Sequence, residues 1–393
     1  MKSGFGQYSI AFILLFCSFF CRAQSINLLG QYTGTTVNTN YVAPLFLLIA
    51  PDARANGIGN TGSATSPDEN STYWNPSKLA FIKDTLGLSV SYMPWLWQIV
   101  PNILGAYLSA YYKLNQNQAI GLSLKYFSLN GLPAQTGSFN PNEYALDITC
   151  ARRISDCLSL ALTARYIYAN TNEVLYSYKV YPNQQCKSAG VDISAYYQSH
   201  TIIIFKKPST FTAGLNISNI GPKMRFSDSS ACFLPTNLRL GMAYSIDFDN
   251  YNKLTFMFDL DKLLVPTPPI YLVGKNGKDS IINGDKIIVA GINPNVSVLR
   301  GMGQSFFDAP GGFRKQLDEI DICSGIEYWY MKQYALRTGL FYESSTNGDR
   351  QYVTAGAGFR LKIIEIDASY LIPVTQQSPL QNTLYLSLAM HIK

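Results

Sequence analysis

The sequence predicts an all-β fold, a transmembrane antiparallel β-barrel of about fourteen strands with an N-terminal hatch, or plug, segment. Three observations predict it. Long segments alternate apolar with polar residues, the charges of those segments fall on the non-apolar face, and short and long connections take turns along the chain.

The chain opens with Lys2, an apolar run from Ile10 to Phe20, and the small residues Cys21 and Ala23 at the −3 and −1 positions of a cleavage site. These are the parts of a secretory signal peptide, so residues 1–23 are expected to be removed and the mature chain to begin at Gln24. The run is too short to span a membrane, and no later stretch reaches the roughly twenty apolar residues of a helical span. An exported chain of this kind is either soluble or a β-barrel. The charge balance is 31 Lys and Arg against 25 Asp and Glu, or 29 against 25 without Lys2 and Arg22. With no basic cluster beyond Arg152-Arg153 and Lys206-Lys207, it points to no nucleic-acid partner. The five mature cysteines, Cys150, Cys157, Cys186, Cys232 and Cys323, are scattered and odd in number. They make neither a dense disulfide framework nor a C-x-x-C metal site, so no metal and no cofactor is expected. Cys150 and Cys157 are spaced to face each other across a tight turn.

Residues 24–84 lack sustained alternation and read as the hatch; residues 85–393 read as the barrel. In "YALDITCAR", Tyr144, Leu146, Ile148 and Cys150 take one face, and Ala145, Asp147, Thr149 and Ala151 the other. Ile364, Ile366, Ala368 and Tyr370 likewise oppose Glu365, Asp367 and Ser369, and the last segment repeats the pattern from Leu384 to Ile392. Strands of soluble proteins average about five or six residues, whereas these run to roughly ten or eleven, the length that crosses a bilayer at a tilt. Arg or Lys facing lipid at mid-depth costs about 2–4 kcal/mol. Asp192, Arg239, Asp259, Glu327, Arg337, Arg360 and Asp367 all fall on the other face.

Tight turns are expected near Asn115–Asn117, Ser155-Asp156, Asp249-Asn250, Met331–Gln333 and Leu361-Lys362, with longer links around 129–142, 169–186, 220–235, 263–318, 345–350 and 373–381. Short links belong to the periplasmic end and long ones to the outside. One connection breaks the rule: "HTIIIFKKPS", His200 to Ser209, falls at the periplasmic end yet is long and apolar. Tyrosines near strand ends (Tyr92, Tyr111, Tyr126, Tyr166, Tyr328, Tyr342, Tyr370) read as an interfacial girdle.

Within the hatch, "NGIGNTGSA" places Gly57, Gly59 and Gly62 in the G-x-G-x-x-G spacing of a dinucleotide-binding turn. Such a turn must come directly after its strand and open a helix. Here Pro51 to Asn56 intervene, and Pro67 and Pro76 interrupt the chain beyond Gly62, so no helix opens there. The glycines instead suit close approach of a plug to a barrel wall.

The stretch "APDARANGIGNTGSATSPDENSTYWNPSKLAF", Ala50 to Phe81, closely resembles the N-terminal signature of the PorV (LptO) family, barrel proteins of the type IX secretion system in Bacteroidetes. Its marks are Pro51, Asp52 and Arg54, the glycines Gly57, Gly59 and Gly62, and Trp74-Asn75-Pro76. That family in turn resembles the FadL long-chain fatty-acid channels, with fourteen strands and an N-terminal hatch; Asn75-Pro76-Ser77 looks like their Asn-Pro-Ala turn. The resemblance implies an outer-membrane protein, not an enzyme, that binds the C-terminal domain of secreted cargo at a large translocon barrel. It would then carry the cargo to a sortase complex for attachment to the cell surface.

The alternative is a FadL-like channel for fatty acids or other hydrophobic molecules, with "PLFLLIA" in the hatch helping to line a tunnel; simple packing of hatch against wall explains that stretch equally directly. A barrel hydrolase would need a base beside a nucleophile, and the two histidines, His200 and His391, have no serine and acid partner evident in the sequence. Partner-binding residues are expected in two external links. "MPWLWQIVPNIL", Met93 to Leu104, carries Trp95 and Trp97 and either folds over the barrel mouth, rests in the lipid interface or anchors a partner. The loop from Val265 to Asp318, with "GMGQSFFDAPGGF", adds Phe306, Phe307 and Phe313.

Overall fold

Alternation dictates which side of each strand turns inward, and the computed structural model shows where that leads. It describes residues 25–26, 29, 31–33, 39–96, 103–128, 142–171, 184–227, 230–274, 279–282, 285–374 and 378–392. The expected signal peptide, with its cleavage point before Gln24, lies outside the described residues.

Fourteen strands form the wall: β1 (Leu86–Pro94), β2 (Leu104–Asn115), β3 (Gln118–Ser128), β4 (Asn142–Arg153), β5 (Leu158–Thr171), β6 (Gln184–Gln198), β7 (Lys207–Ile220), β8 (Asn237–Asp247), β9 (Asn252–Leu263), β10 (Ile320–Tyr330), β11 (Tyr334–Tyr342), β12 (Gln351–Leu361), β13 (Ile364–Pro373) and β14 (Leu384–Ile392). Each pairs antiparallel with the next. β14 returns to β1, with Leu388 opposite Val90, so the sheet closes. Closure satisfies every strand edge within the bilayer, where no water can do so.

The faces fall as the alternation requires. In β4, Leu146, Ile148 and Cys150 are exposed to the membrane side, while Ala145, Asp147, Thr149 and Ala151 are buried in the lumen. Asp192, Arg239, Asp259, Glu327, Arg337 and Asp367 are likewise buried inside. Turns 116–117, 154–157, 248–251, 331–333 and 362–363 gather at one end, together with the start of β1 and the end of β14; the longer links gather at the other. Among the described residues no helix is long and apolar enough to cross a membrane.

Two expectations fail. Tyr111 is no girdle residue: it sits on the inward face of β2 and packs with Leu79 and Ile82 of the hatch, whereas Tyr92, Tyr126, Tyr166, Tyr342 and Tyr370 do face outward. Cys150 and Cys157 do not meet. Cys150 pairs in register with Leu162, whereas Cys157 lies in the turn, its Sγ 3.3 Å from His200 Nε2.

Candidate functional site

The hatch is held by short local structures whose polar groups then bond the wall. Asp52 caps α1 (Ala53–Gly57): its Oδ1 accepts from the Ala55 N–H at 3.0 Å, and its Oδ2 accepts from the Trp74 indole N–H at 2.6 Å. One carboxylate thus ties the Pro-Asp-Ala-Arg core to Trp74, at the end of α2 (Ser71–Trp74), with Pro51 buried beside it. Burial pushes the Asp52 carboxyl up to about 6, because a charged form loses its hydration there. Burial also draws the Lys78 ammonium down to about 8, although its Nζ donates to Gly62 O and Thr65 Oγ1, both at 2.8 Å.

Arg54 reaches from α1 to the wall. Its guanidinium bonds Glu327 of β10 in a fork (3.0 and 2.9 Å) and Asp68 of the hatch (2.8 Å). Glu327 is shared with Arg337 (2.7 Å), which also holds Asp367 (2.5 Å). Arg54, Glu327, Arg337 and Asp367 are buried and Asp68 half-buried, a setting in which planar bidentate pairing suits arginine.

The glycines permit this closeness, but not all toward the wall. A Cβ on Gly59, at φ +70°, would lie 2.6 Å from the Leu340 nitrogen of β11, and one on Gly57 would press against Gly356. Gly62 differs: its Cβ would strike the Trp74 ring at 2.2 Å, so its smallness serves packing within the hatch. Asn75 caps the 3-10 turn Pro76–Phe81, its Oδ1 accepting from Ser77 N–H at 3.2 Å, with Pro76 at the first position, where a missing N–H costs nothing. The Asn75 Nδ2 donates to Ala195 O in β6 (3.0 Å), the Gly62 and Ser63 N–H groups to Asp259 in β9 (2.8 Å each), and Ala53 N–H to Ser387 in β14 (2.9 Å). Bonds to strands all around the circumference place the hatch in the lumen.

"PLFLLIA" packs in part against the wall. Phe46 and Leu47 are buried among Met93, Phe127 and Ile103, and Lys125 of β3 donates to the carbonyls of Leu47 and Ile49. A cavity of ≈ 60 Å³ between hatch and wall is lined on one side by Leu45, Leu48 and Ala50 of this stretch and on the other by charged residues, Asp261, Glu319 and Arg350 among them.

The external links divide. Trp95, only 4% exposed, is buried with Leu96 in the same cluster as Phe46, so this end of its loop folds over the mouth and Trp95 is not displayed. Trp97, Ile99 and Val100 lie outside the described residues. The loop after β9 carries two short helices, α3 (Val298–Gln304) and α4 (Gly312–Asp318). Polar bonds fix its base: Lys262 to Glu319 (2.7 Å), Thr267 N–H to Asp308 (3.1 Å) and Gln316 to the Ser305 carbonyl (2.6 Å). In the same loop Phe306, Phe307 and Phe313 are 50%, 69% and 79% exposed, and Leu299 of α3, which sequence reasoning passed over, is exposed too.

Sequence reasoning also gave His391 no acid. The structure gives it two, Glu69 of the hatch at Nδ1 (2.5 Å) and Glu365 of β13 at Nε2 (3.2 Å). Among the described residues neither histidine bonds a serine or threonine hydroxyl, and no group of three or more His, Cys, Asp and Glu is arranged to hold a metal.

A sequence-family profile described as "Type IX secretion system protein PorV" matches residues 33–270, more than half of the chain. No curated protein sequence matches it. Similar solved structures include the toluene transporter TbuX of Ralstonia pickettii, 10% identical, covering 87% of this chain and 98% of that one, with TM-score 0.47. A FadL homologue of Pseudomonas aeruginosa is 12% identical over 90% of this chain and 100% of that one, with TM-score 0.46. The toluene transporter TodX of P. putida is 10% identical over 87% and 98%, with TM-score 0.46. The fold rests on the closed strand register, and the family on the profile match. With its lumen filled by that hatch, the chain belongs to the PorV family of type IX secretion system proteins and is an outer-membrane β-barrel.

Proposed function

We propose that this protein receives the C-terminal domain of secreted cargo at the large translocon barrel of the type IX system and carries it to the sortase, or attachment, complex. The observation that carries the reading is the exposed aromatic surface of the loop after β9. Phe306, Phe307 and Phe313 are exposed in a loop whose base is held by polar bonds, in an external link of a plugged barrel. Exposed apolar patches of this kind mark interaction sites, and aromatic residues at the centre of such a patch carry much of an interface's binding energy. The hatch residues Pro51, Asp52, Arg54, Gly57, Gly59, Gly62, Trp74, Asn75 and Pro76 act in this reading as the seal that keeps the transaction at the outer face. Trp95 anchors its own loop, and Trp97 is a further contact for the partner in this reading. The barrel acts without catalysis.

The test is co-purification of a cargo C-terminal domain with the triple variant Phe306→Ser, Phe307→Ser, Phe313→Ser. Recovery is expected to fall about tenfold, equivalent to about 1.4 kcal/mol, while a heat-modifiable barrel persists in the outer membrane. Undiminished recovery overturns the assignment of this loop.

A further inference from the structure

A closed barrel has no free sheet edge, yet this one leaves an edge at the rim where the short turns gather, the periplasmic end by the rule of short and long links. Beyond Gln198 the wall strand breaks at residues 199–201 and resumes as Ile202–Ile204, which pairs only with the start of β7. Ile202 lies opposite Ser209, Ile203 opposite Pro208 and Ile204 opposite Lys207. On the other side β5 begins at Leu158, opposite Tyr197, so no described strand runs along Ile202–Ile204 there. Antiparallel ladders alternate bonded and non-bonded pairs; beside the two-residue turn Ile204 and Lys207 are a bonded pair, so Ile203 and Pro208 are a non-bonded one and Ile203 turns its own N–H and C=O to the open side.

The side chains decide what such an edge faces. Thr212 of β7 turns into the lumen, where its hydroxyl donates to the Ala64 carbonyl of the hatch at 2.7 Å. With a period of two, Thr210 and Pro208 share that face, and so does Ile203. Ile203 is 68% exposed and turned away from lipid; only Ile202 and Ile204 point outward. At the tip Phe205 is 93% exposed, and both Phe205 (φ 51°) and Lys206 (φ 62°) hold the left-handed conformation that such hairpin turns usually give to Asn-Gly. Lys206 is exposed. Lys207 donates to the Phe248 carbonyl (2.7 Å), and the nearby Asp249 is engaged by Asn252 and the Tyr251 N–H.

We propose that Ile202–Ile204 is a docking edge for a periplasmic protein, which adds an extended strand with apolar side chains against Ile203 and Phe205 and acidic ones beside Lys206 and Lys207. Main-chain bonds to the open edge supply affinity, and the two lysines select an acidic partner over a basic one. This edge is at the opposite end of the barrel from the aromatic loop and stands whether or not that loop binds cargo.

Cys157 offers a built-in position marker, because its carbonyl accepts from Gln198 N–H (2.8 Å) just before the edge begins. The probe is a short synthetic peptide alternating valine with glutamate, its terminal cysteine carried as a thionitrobenzoate mixed disulfide, added to the full chain in phospholipid nanodiscs. If the peptide seats, the Cys157 thiolate attacks the peptide sulfur, a protein–peptide disulfide forms and thionitrobenzoate leaves. Labelling of Cys157 is expected to saturate with peptide and to run about tenfold faster than with a valine–lysine peptide, with amide exchange slowed at Ile202–Ile204. Ile203→Pro, which disturbs no wall strand, should abolish the acceleration, and Lys206→Glu with Lys207→Glu should reverse the peptide preference; heat-modifiability confirms that each variant is folded. Three results overturn the proposal: labelling indifferent to Ile203→Pro, quenching of a Phe205→Trp variant by brominated phospholipid, or Cys157-linked dimers of this chain forming without peptide.

Discussion

The hatch and the loop after β9 are both irregular segments fastened to the same wall, and they treat their side chains in opposite ways. The hatch buries charge and satisfies it: Arg54 bonds both Asp68 and Glu327 inside the lumen, and the backbone N–H groups of Gly62 and Ser63 donate to Asp259. The loop satisfies its polar base and then leaves Phe307 and Phe313 in water. A buried network earns its place by fixing geometry, since an unpaired charge there is costly. Exposed aromatics contribute nothing to folding, so their use has to be sought outside the molecule.

The sharpest way to break this contrast is Arg54→Ala. It strips Asp68 of its guanidinium and leaves Glu327 with Arg337 alone, and breaking a buried pair typically costs about 3–5 kcal/mol. Urea unfolding of the refolded barrel in detergent, monitored by loss of heat-modifiability, should shift by about that amount. A shift below about 1 kcal/mol, the range of surface ion pairs, would make the hatch a loosely seated plug.

Next in size is a test of the wall that holds both segments. Ile366 is exposed on the membrane side of β13, and Ile366→Arg should cost about 2–4 kcal/mol at mid-depth and impair assembly. Its neighbour Asp367 faces the lumen and bonds Arg337 at 2.5 Å. Because Arg337 keeps Glu327, Asp367→Asn should cost less than Ile366→Arg. Equal yields of the two variants in the outer membrane would undo the assignment of faces. Asn75→Ala comes third: losing a capping side chain costs about 1 kcal/mol, and the Ala195 carbonyl loses a donor as well, so the same unfolding assay should register a small shift.

How much of the molecule was legible in the sequence depends on the range of the interactions. Alternation and turn residues are local, so the strands from Leu86 onward, their inward charges and the order of short and long links could be read without the fold. The caps at Asp52 and Asn75 belong to motifs visible in "PDARANG" and "WNPS". The bond from Arg54 to Glu327 spans 273 positions and has no local signal, nor has His391 with its two glutamates. Gly62 is small because of Trp74, a contact within the hatch that the glycine spacing alone assigned to the wall. Link counting put Trp95 in an external link with folding over the mouth as one of three open readings, and only its packing with Phe46 shows that this end of the link turns inward. The open edge at Ile202–Ile204 was visible as an apolar run where a tight turn belongs, and its meaning needed the register with Pro208.

The smallest expected effect sharpens the contrast most, because it is a predicted absence beside a large presence. Phe307 and Phe313 are 69% and 79% exposed, so little of either ring is packed against the rest of the molecule. Substitutions at such positions usually change stability by no more than about 0.5 kcal/mol in either direction. Phe307→Ser with Phe313→Ser should therefore leave the urea midpoint of the barrel where it was, in the assay that registers Arg54→Ala strongly. A loss above about 1 kcal/mol would mean that these rings pack against part of the molecule, since burying an aromatic side chain is worth a comparable or larger amount. The loop would then be a second plug, its aromatics explained by folding, and the surface that meets cargo would have to lie elsewhere. An unchanged midpoint together with reduced capture of a cargo domain separates the two roles: one irregular segment holds the barrel's interior, and the other presents a face to a partner.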